Sequence, residues 1–200
     1  MKKNKFDLPS EIEKIIKKFN LNENWNKDIT QDIELFESGK FNKKSYKRIN
    51  LKELDFVTID GEDAKDFDDA VYCEKSENNW KLFVAIADVA HYVEENSNID
   101  KEAKKRGTSV YFPNYVIPML PEILSNNLCS IRPNEDKYTI VSEILISNDG
   151  QIKSYKFYNA LIQSSARLTY SQVDEFFKNS DAIKGKDVIK NIQNLFKLYT

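Results

Sequence analysis

Glycine and proline are scarce, five of each in 200 residues, and there are only two cysteines, two methionines, two tryptophans and a single histidine. Each shortage closes a class of function. Cys73 and Cys129 lie far apart without metal-ligand spacing, which excludes a zinc-binding pattern and reads as reduced cytosolic thiols rather than a disulfide. With His91 as the one histidine, no Ser/His/Asp set can be assembled, and a packed structural role is the expectation for it. No glycine-rich phosphate cradle is present. No apolar run approaches the roughly 20 residues of a membrane span, and the basic N-terminus lacks a signal-peptide core. The expectation is a cytoplasmic protein with no membrane partner. Positive charge is not in excess either: the formal net charge is −2. Any polyanion must therefore be gripped by a local patch or through metal. Arginine is confined to Arg48, Arg106, Arg132 and Arg167.

What is present is enough apolar material to fold, 40% hydrophobic with 12% aromatic residues, in a length that suits one domain with an appended segment. Residues 1–48 read as a helical accessory segment. Ser10 and Glu13 have the spacing of a capping box, and Ile12, Ile15, Ile16 and Phe19 follow a helical stripe. Asn20 to Asp28 reads as a connection. Lys40, Lys43, Lys44, Lys47 and Arg48 form a basic cluster that reads either as a solvated face or as a track for an RNA backbone. Residues 49–200 read as the main domain. Phe56 to Ile59 is a buried strand, and Ala70 to Glu74 with Lys81 to Asp88 form a hairpin across Lys75 to Asn79. Ile99 to Arg106 reads as a short helix closed by Gly107, Val110 to Phe112 as extended, and Pro121 to about Asn127 as another short helix. Two longer strands, Lys137 to Ser147 and Gln151 to Ser164, join at Asn148-Asp149-Gly150. Lys186 to Tyr199 carries a last apolar helical stripe. The fold class expected is mixed α/β (α+β), with a mixed or antiparallel sheet and surrounding helices.

Between the first two strands Asp60, Glu62, Asp63, Asp66, Asp68 and Asp69 crowd around the single cation of Lys65. Each like-charge pair at about 4 Å costs roughly 1 kcal/mol in water and about 4 kcal/mol at a surface dielectric of about 20. Such a run either splays into solvent or gathers round a cation, and the strands on both flanks pin it inside a fold. Hard carboxylate oxygens suit Mg²⁺, with Mn²⁺ as an alternative, in a site that shares its metal with a substrate phosphate. That chemistry is metal-assisted phosphodiester hydrolysis. An EF-hand loop fails because Gly61 is second from Asp60 where the sixth place is needed. A DEDD-type exonuclease accounts for Asp60, Glu62, Tyr170 and Asp174 but leaves Asp66, Asp68 and Asp69 unexplained.

The run Thr58-Ile-Asp-Gly-Glu-Asp-Ala-Lys-Asp-Phe-Asp-Asp-Ala-Val71 resembles the signature of the ribonuclease II/ribonuclease R (RNB) family of 3′-to-5′ exoribonucleases. Four later stretches resemble that family's motifs in order: Val84 to Val93, Arg106 to Pro113, Pro118 to Ser130, and Ala166 to Tyr170. The resemblance covers roughly residues 49–173. It implies that Asp60, Asp66, Asp68 and Asp69 hold Mg²⁺, with Asp68 the residue most needed for cleavage. It also implies that Tyr111 packs against the last nucleotides and Tyr170 contacts RNA. Arg106 and Arg167 read equally as phosphate contacts or as interior ion pairs. Asp88 is a candidate support for the metal ligands, Ala85 stands where the family often has histidine, and Glu62 and Asp63 are candidate caps of the turn, with Gly61 permitting its sharp exit. The implied reaction is hydrolysis of single-stranded RNA from the 3′ end to nucleoside 5′-monophosphates. The resemblance further implies a catalytic domain longer than the region matched here, whose second half carries a phosphate-stabilising arginine, with OB-fold RNA-binding modules on both sides. The expectation is therefore a partial catalytic domain, partnered by its missing half. The alternatives are a non-catalytic RNA- or metal-binding remnant and one half of a split enzyme.

Overall fold

The computed structural model describes residues 7–41 and 47–200. Lys43 and Lys44 of the basic cluster lie outside them. In chain order the elements are α1 (Leu8–Phe19), α2 (Lys27–Glu37), β1 (Ile49–Asn50), β2 (Phe56–Asp60), β3 (Asp69–Ser76), β4 (Asn79–Ala87), α3 (Asn98–Arg106), β5 (Val110–Phe112), β6 (Tyr115–Ile117), β7 (Asp136–Ser147), β8 (Ile152–Thr169), α4 (Tyr170–Lys178) and α5 (Lys186–Tyr199). These form two compact units. One unites the N-terminal helices with residues 93–123; the other holds the six-stranded sheet with α4 and α5. The division in space thus differs from a cut at residue 48, because α3, β5 and β6 join the N-terminal helices.

In the first unit, α1 starts at Asp7 with Pro9 in its first turn, not at Ser10, which lies inside the helix. Proline's fixed φ and missing N–H suit that first turn, and this moves the cap upstream of the capping-box spacing. Helix α2, unrecognised in the sequence, opens on Asn26, whose side chain accepts from the Ile29 N–H at 3.0 Å. Helix α3 ends as expected on Gly107, at φ 76°, where a side chain would be strained. Strands β5 and β6 pair antiparallel across Pro113-Asn114.

The second unit is built on β8, which has 18 residues and a partner on each flank. It runs antiparallel to β7 from Ile152↔Ile146 to Gln163↔Asp136, then parallel to β2 from Ser164↔Phe56 to Thr169↔Asp60. Strands β2, β3, β4 and β7 are joined antiparallel in sequence, so the double pairing closes the sheet on itself. Registers Ala70↔Ala85 and Ala85↔Val141 put these residues on one face, where they form a buried cluster with Phe56, Phe83, Ala160 and Ile162. On the other face Val57 and Leu168 pack with Phe176 of α4 and Val188 and Ile192 of α5. Burial on both faces explains why Phe56, Val57 and Thr58 run without alternation, all 0% exposed. The β3–β4 turn is tighter than expected: Ser76 pairs with Asn79, leaving only Glu77 and Asn78 between the strands, with Glu77 at φ 51°. Residues 124–128 form a wide helical turn with the Cys129 N–H on the Leu124 carbonyl, where an ordinary short helix was expected. Cys73 and Cys129 are buried and free, and burial pushes their thiols up to about 11 and about 12. Among the described residues no helix is long and apolar enough to cross a membrane.

Helix α5 is keyed to the sheet by Asn191, 1% exposed. Its Oδ1 accepts from the Cys73 N–H at 2.9 Å, and its Nδ2 donates to the carbonyls of Asp55 at 2.8 Å and Val71 at 3.1 Å. Asn191→Leu keeps the branched shape and leaves buried backbone groups unsatisfied, so it is expected to cost about 2–4 kcal/mol. A lower urea midpoint at unchanged slope is the expected readout.

Candidate active site

The acidic turn joins β2 to β3, so Asp60 closes one strand and Asp69 opens the next. Asp66 and Asp68 lie between them on irregular backbone. The four carboxylates lie within one another's electrostatic reach. Burial, then Asp69, then Asp66 hold the Asp60 carboxyl above its ordinary value of 3.8, with Arg167 opposing them. Asp68, although exposed, is raised by partial desolvation first and then by Asp66, Asp69 and Asp60. A DEDD reading instead requires Glu62, which is exposed, and Asp174. Asp174 lies on α4 in an exposed pair with Lys178 at 2.6 Å.

The turn is braced by its own backbone and by distant residues. The Ala64 N–H donates to the Gly61 carbonyl at 3.3 Å, the Ile131 N–H to the Phe67 carbonyl at 2.8 Å, and the Ala87 N–H to the Asp68 carbonyl at 2.8 Å. Glu62 and Asp63 are exposed. Gly61 stays out of the left-handed region, and a Cβ there would meet nothing within 4 Å, so the exit from β2 has no steric need for glycine. Arg167 stands beside Thr58 across the parallel β2–β8 ladder. Its Nη2 donates to the carbonyls of Gly61 at 2.8 Å and Glu62 at 2.7 Å, and its guanidinium lies over the Phe67 ring at 5.4 Å. Its observed contacts are with the turn's backbone.

Tyr170 follows Thr169, the partner of Asp60 in the ladder, and opens α4 with 64% of its surface exposed. Tyr111 and Arg106 belong to the other unit. Tyr111 is 68% exposed on β5. Arg106 is the interior ion pair of the two alternatives, with its side chain only 7% exposed. Its Nε donates to Glu102 at 3.0 Å, its Nη1 to the Pro118 carbonyl at 2.8 Å and its Nη2 to the Asn24 carbonyl at 3.0 Å, while its plane lies 3.7 Å from the Trp25 ring centre. Asp88 directly follows Ala87, whose N–H holds the Asp68 carbonyl. It pairs with buried Arg48 at 2.6 Å, and Arg48 also lies 3.3 Å from His91 Nδ1 and over the Tyr138 ring at 4.4 Å. This takes Arg48 out of any solvated basic face and gives His91, 2% exposed, the packed role expected of it. Ala85 is wholly buried in the core.

Oxygen donors of this type and number suit a hard divalent cation, and the mutual repulsion of Asp60 and Asp68 with their neighbours is the charge that such an ion neutralises. The turn is open as it stands: among the described residues no three His, Cys, Asp or Glu side chains are drawn closely enough together to hold an ion.

The RNB domain model matches residues 48–200. The chain belongs to the RNB domain family. It is 50% identical over 155 residues to ribonuclease R of Escherichia coli, an overlap of 76% of this chain and 19% of that protein. Among solved structures it resembles Mycoplasma genitalium RNase R in complex with ribose-methylated single-stranded RNA, at 38% identity and a TM-score of 0.86 over 96% of this chain and 30% of that one. The same protein in complex with double-stranded RNA matches with a TM-score of 0.87 over 96% of this chain and 34% of that one. The chain therefore spans about a fifth of the curated relative's length, and its mixed sheet with surrounding helices is the fold of those neighbours.

The raised carboxyls set the sign of a pH effect. A folded-state pKa above the unfolded value means that the folded protein holds the proton more tightly. The cost of ionising Asp60 and Asp68 is therefore fully present above their folded pKa values and is relieved as pH falls through them. Asp68→Asn is expected to stabilise the metal-free protein at neutral pH, by about 0.5–1 kcal/mol once solvent screening is allowed for. Melting midpoints in chelator should show the variant's advantage shrinking on acidification towards the carboxylate range.

Proposed function

We propose that this chain carries the acidic metal-binding turn of a hydrolytic 3′-to-5′ exoribonuclease that acts on single-stranded RNA and releases nucleoside 5′-monophosphates. The observation that carries the reading is that Asp60, Asp66, Asp68 and Asp69 lie within one another's electrostatic reach on the β2–β3 turn of an RNB domain. In this reading those four side chains hold Mg²⁺, or Mn²⁺ in its place. A bound ion of that kind supplies Lewis acidity towards phosphate oxygen and lowers the pKa of water. The chain's own residues do the rest. Asp68 orients the attacking water through its carboxylate, and Arg167 keeps the turn's carbonyls fixed while its charge opposes the repulsion on Asp60. The exposed rings of Tyr111 and Tyr170 offer base-stacking faces, worth about 1–3 kcal/mol per base. Two buried, unpaired thiols suit a cytoplasmic location.

A second reading, a non-catalytic RNA- or metal-binding remnant, has its own support. The four arginines are all engaged with protein groups: Arg48 with Asp88, Arg106 with Glu102, Arg132 with the Asn126 carbonyl, and Arg167 with Gly61 and Glu62. A transition-state donor missing from such a site costs about 2.7–4 kcal/mol. The exonuclease reading accordingly includes the remainder of the RNB catalytic domain as a partner, in the same chain or as a separate one.

The test is incubation of the purified chain with 5′-labelled single-stranded RNA and Mg²⁺, alone and with the complementary part of an RNB domain added. Stepwise shortening from the 3′ end, abolished by Asp68→Asn, is the expected result. Retention of RNA without shortening under both conditions would favour the remnant.

A further inference from the structure

We propose that Ser130 is a positioning residue for the acidic turn, fixing Asp66 through the backbone on both sides of it. The inference rests on the reading above in taking the Asp66 carboxylate as a metal ligand. From Gly61 to Asp68 the chain has no strand partner, so bonds from elsewhere must oppose the mutual repulsion of its carboxylates. Ser130 is 0% exposed. Its hydroxyl accepts from the Phe67 N–H at 3.0 Å and donates to the Lys65 carbonyl at 2.8 Å. Those two groups belong to the peptide units immediately before and after Asp66, so one side chain clamps both of its backbone neighbours. The valence is complete: a hydroxyl has one proton to give and lone pairs to receive. The next residue extends the grip, because the Ile131 N–H donates to the Phe67 carbonyl in the unit that leads into Asp68. Leu128-Cys129-Ser130 is part of the family resemblance to which no role was attached, and this geometry gives it one.

Alanine at this position removes both bonds and leaves a buried N–H without its acceptor. Threonine keeps the hydroxyl. Three measurements on the full chain separate positioning from bulk stability: the melting midpoint, amide hydrogen exchange across residues 61–68 without metal, and Mn²⁺ affinity by calorimetric titration. In Ser130→Ala, exchange at Phe67 is expected to accelerate about tenfold, and Mn²⁺ to bind about tenfold more weakly, each equivalent to about 1.4 kcal/mol. Ser130→Thr is expected to restore both. A lowered midpoint with exchange in the turn and Mn²⁺ affinity unchanged would overturn the proposal, since that is what mere packing predicts. Should Ser130→Ala not fold, Ser130→Cys, with similar volume and only a weak S–H donor, carries the same comparison. If the wild-type chain binds no Mn²⁺, the metal reading of Asp66 falls, and the exchange comparison still decides whether Ser130 holds the turn.

Discussion

Four carboxylates held within reach of one another's fields, on a segment with no ladder bonds of its own, set the mechanical problem that the second unit solves. Repulsion pushes the turn outwards, and after desolvation, the larger cause, it adds to the reluctance of Asp60 and Asp68 to ionise. What opposes it is backbone capture from several directions. Ala87, at the end of β4, takes the Asp68 carbonyl; Ser130 and Ile131 take the groups around Asp66 and Phe67; and Arg167 takes Gly61 and Glu62. None of these contacts neutralises a carboxylate by direct pairing. In the exoribonuclease reading the carboxylate oxygens are left to an external cation, while the chain that carries them is fixed.

The braces can meet the turn because the sheet closes. Arg167 reaches Gly61 only if β8, having left β7, runs beside β2 in the register that sets Thr58 against Arg167. That parallel pairing joins segments about a hundred residues apart and carries a loop-closure cost, one that grows only slowly with loop length but slows folding. Burial of β2 on both faces, and the Asn191 bridge from α5 to β3, supply the compensation. The stability of the core and the shape of the acidic turn are therefore one property: loosening β8 from β2 would free Arg167 and the turn together.

Legibility in the sequence followed the range of the interaction. The Asn148-Asp149-Gly150 hairpin, the Gly107 cap and the stripe of α5 are local devices, and the residues that create them also mark them. The acidic run was legible for the same reason. Helix α4, for which the sequence reading gave no element, opens on a full capping box of Thr169 and Gln172, a local Thr-x-x-Gln spacing that marks its start. Ring closure, the regrouping of residues 93–123 and the role of Ser130 depend on partners far away in sequence. Spacing shows nothing of Ser130's grip on Lys65 and Phe67 across more than sixty positions. Arg106 was ambiguous from composition alone, since a guanidinium serves a phosphate or a buried carboxylate equally well, and only burial against Trp25 and Glu102 decides between them.

The distribution of positive charge follows from the same economy. A phosphodiester approaching Asp60, Asp66, Asp68 and Asp69 is repelled until cations intervene, and a divalent ion bridging carboxylate and phosphate removes only part of that repulsion. In the exoribonuclease reading, charge building on the phosphate needs a further donor, preferably a planar guanidinium. The four arginines here hold the protein's own structure, and releasing one would forfeit its brace: Arg167 the turn, Arg106 the first unit, Arg48 the end of β4 at Asp88. Of the four, only Arg167 touches the acidic turn, and it does so through the Gly61 and Glu62 carbonyls. The functional proposal therefore assigns the further donor to the rest of the catalytic domain.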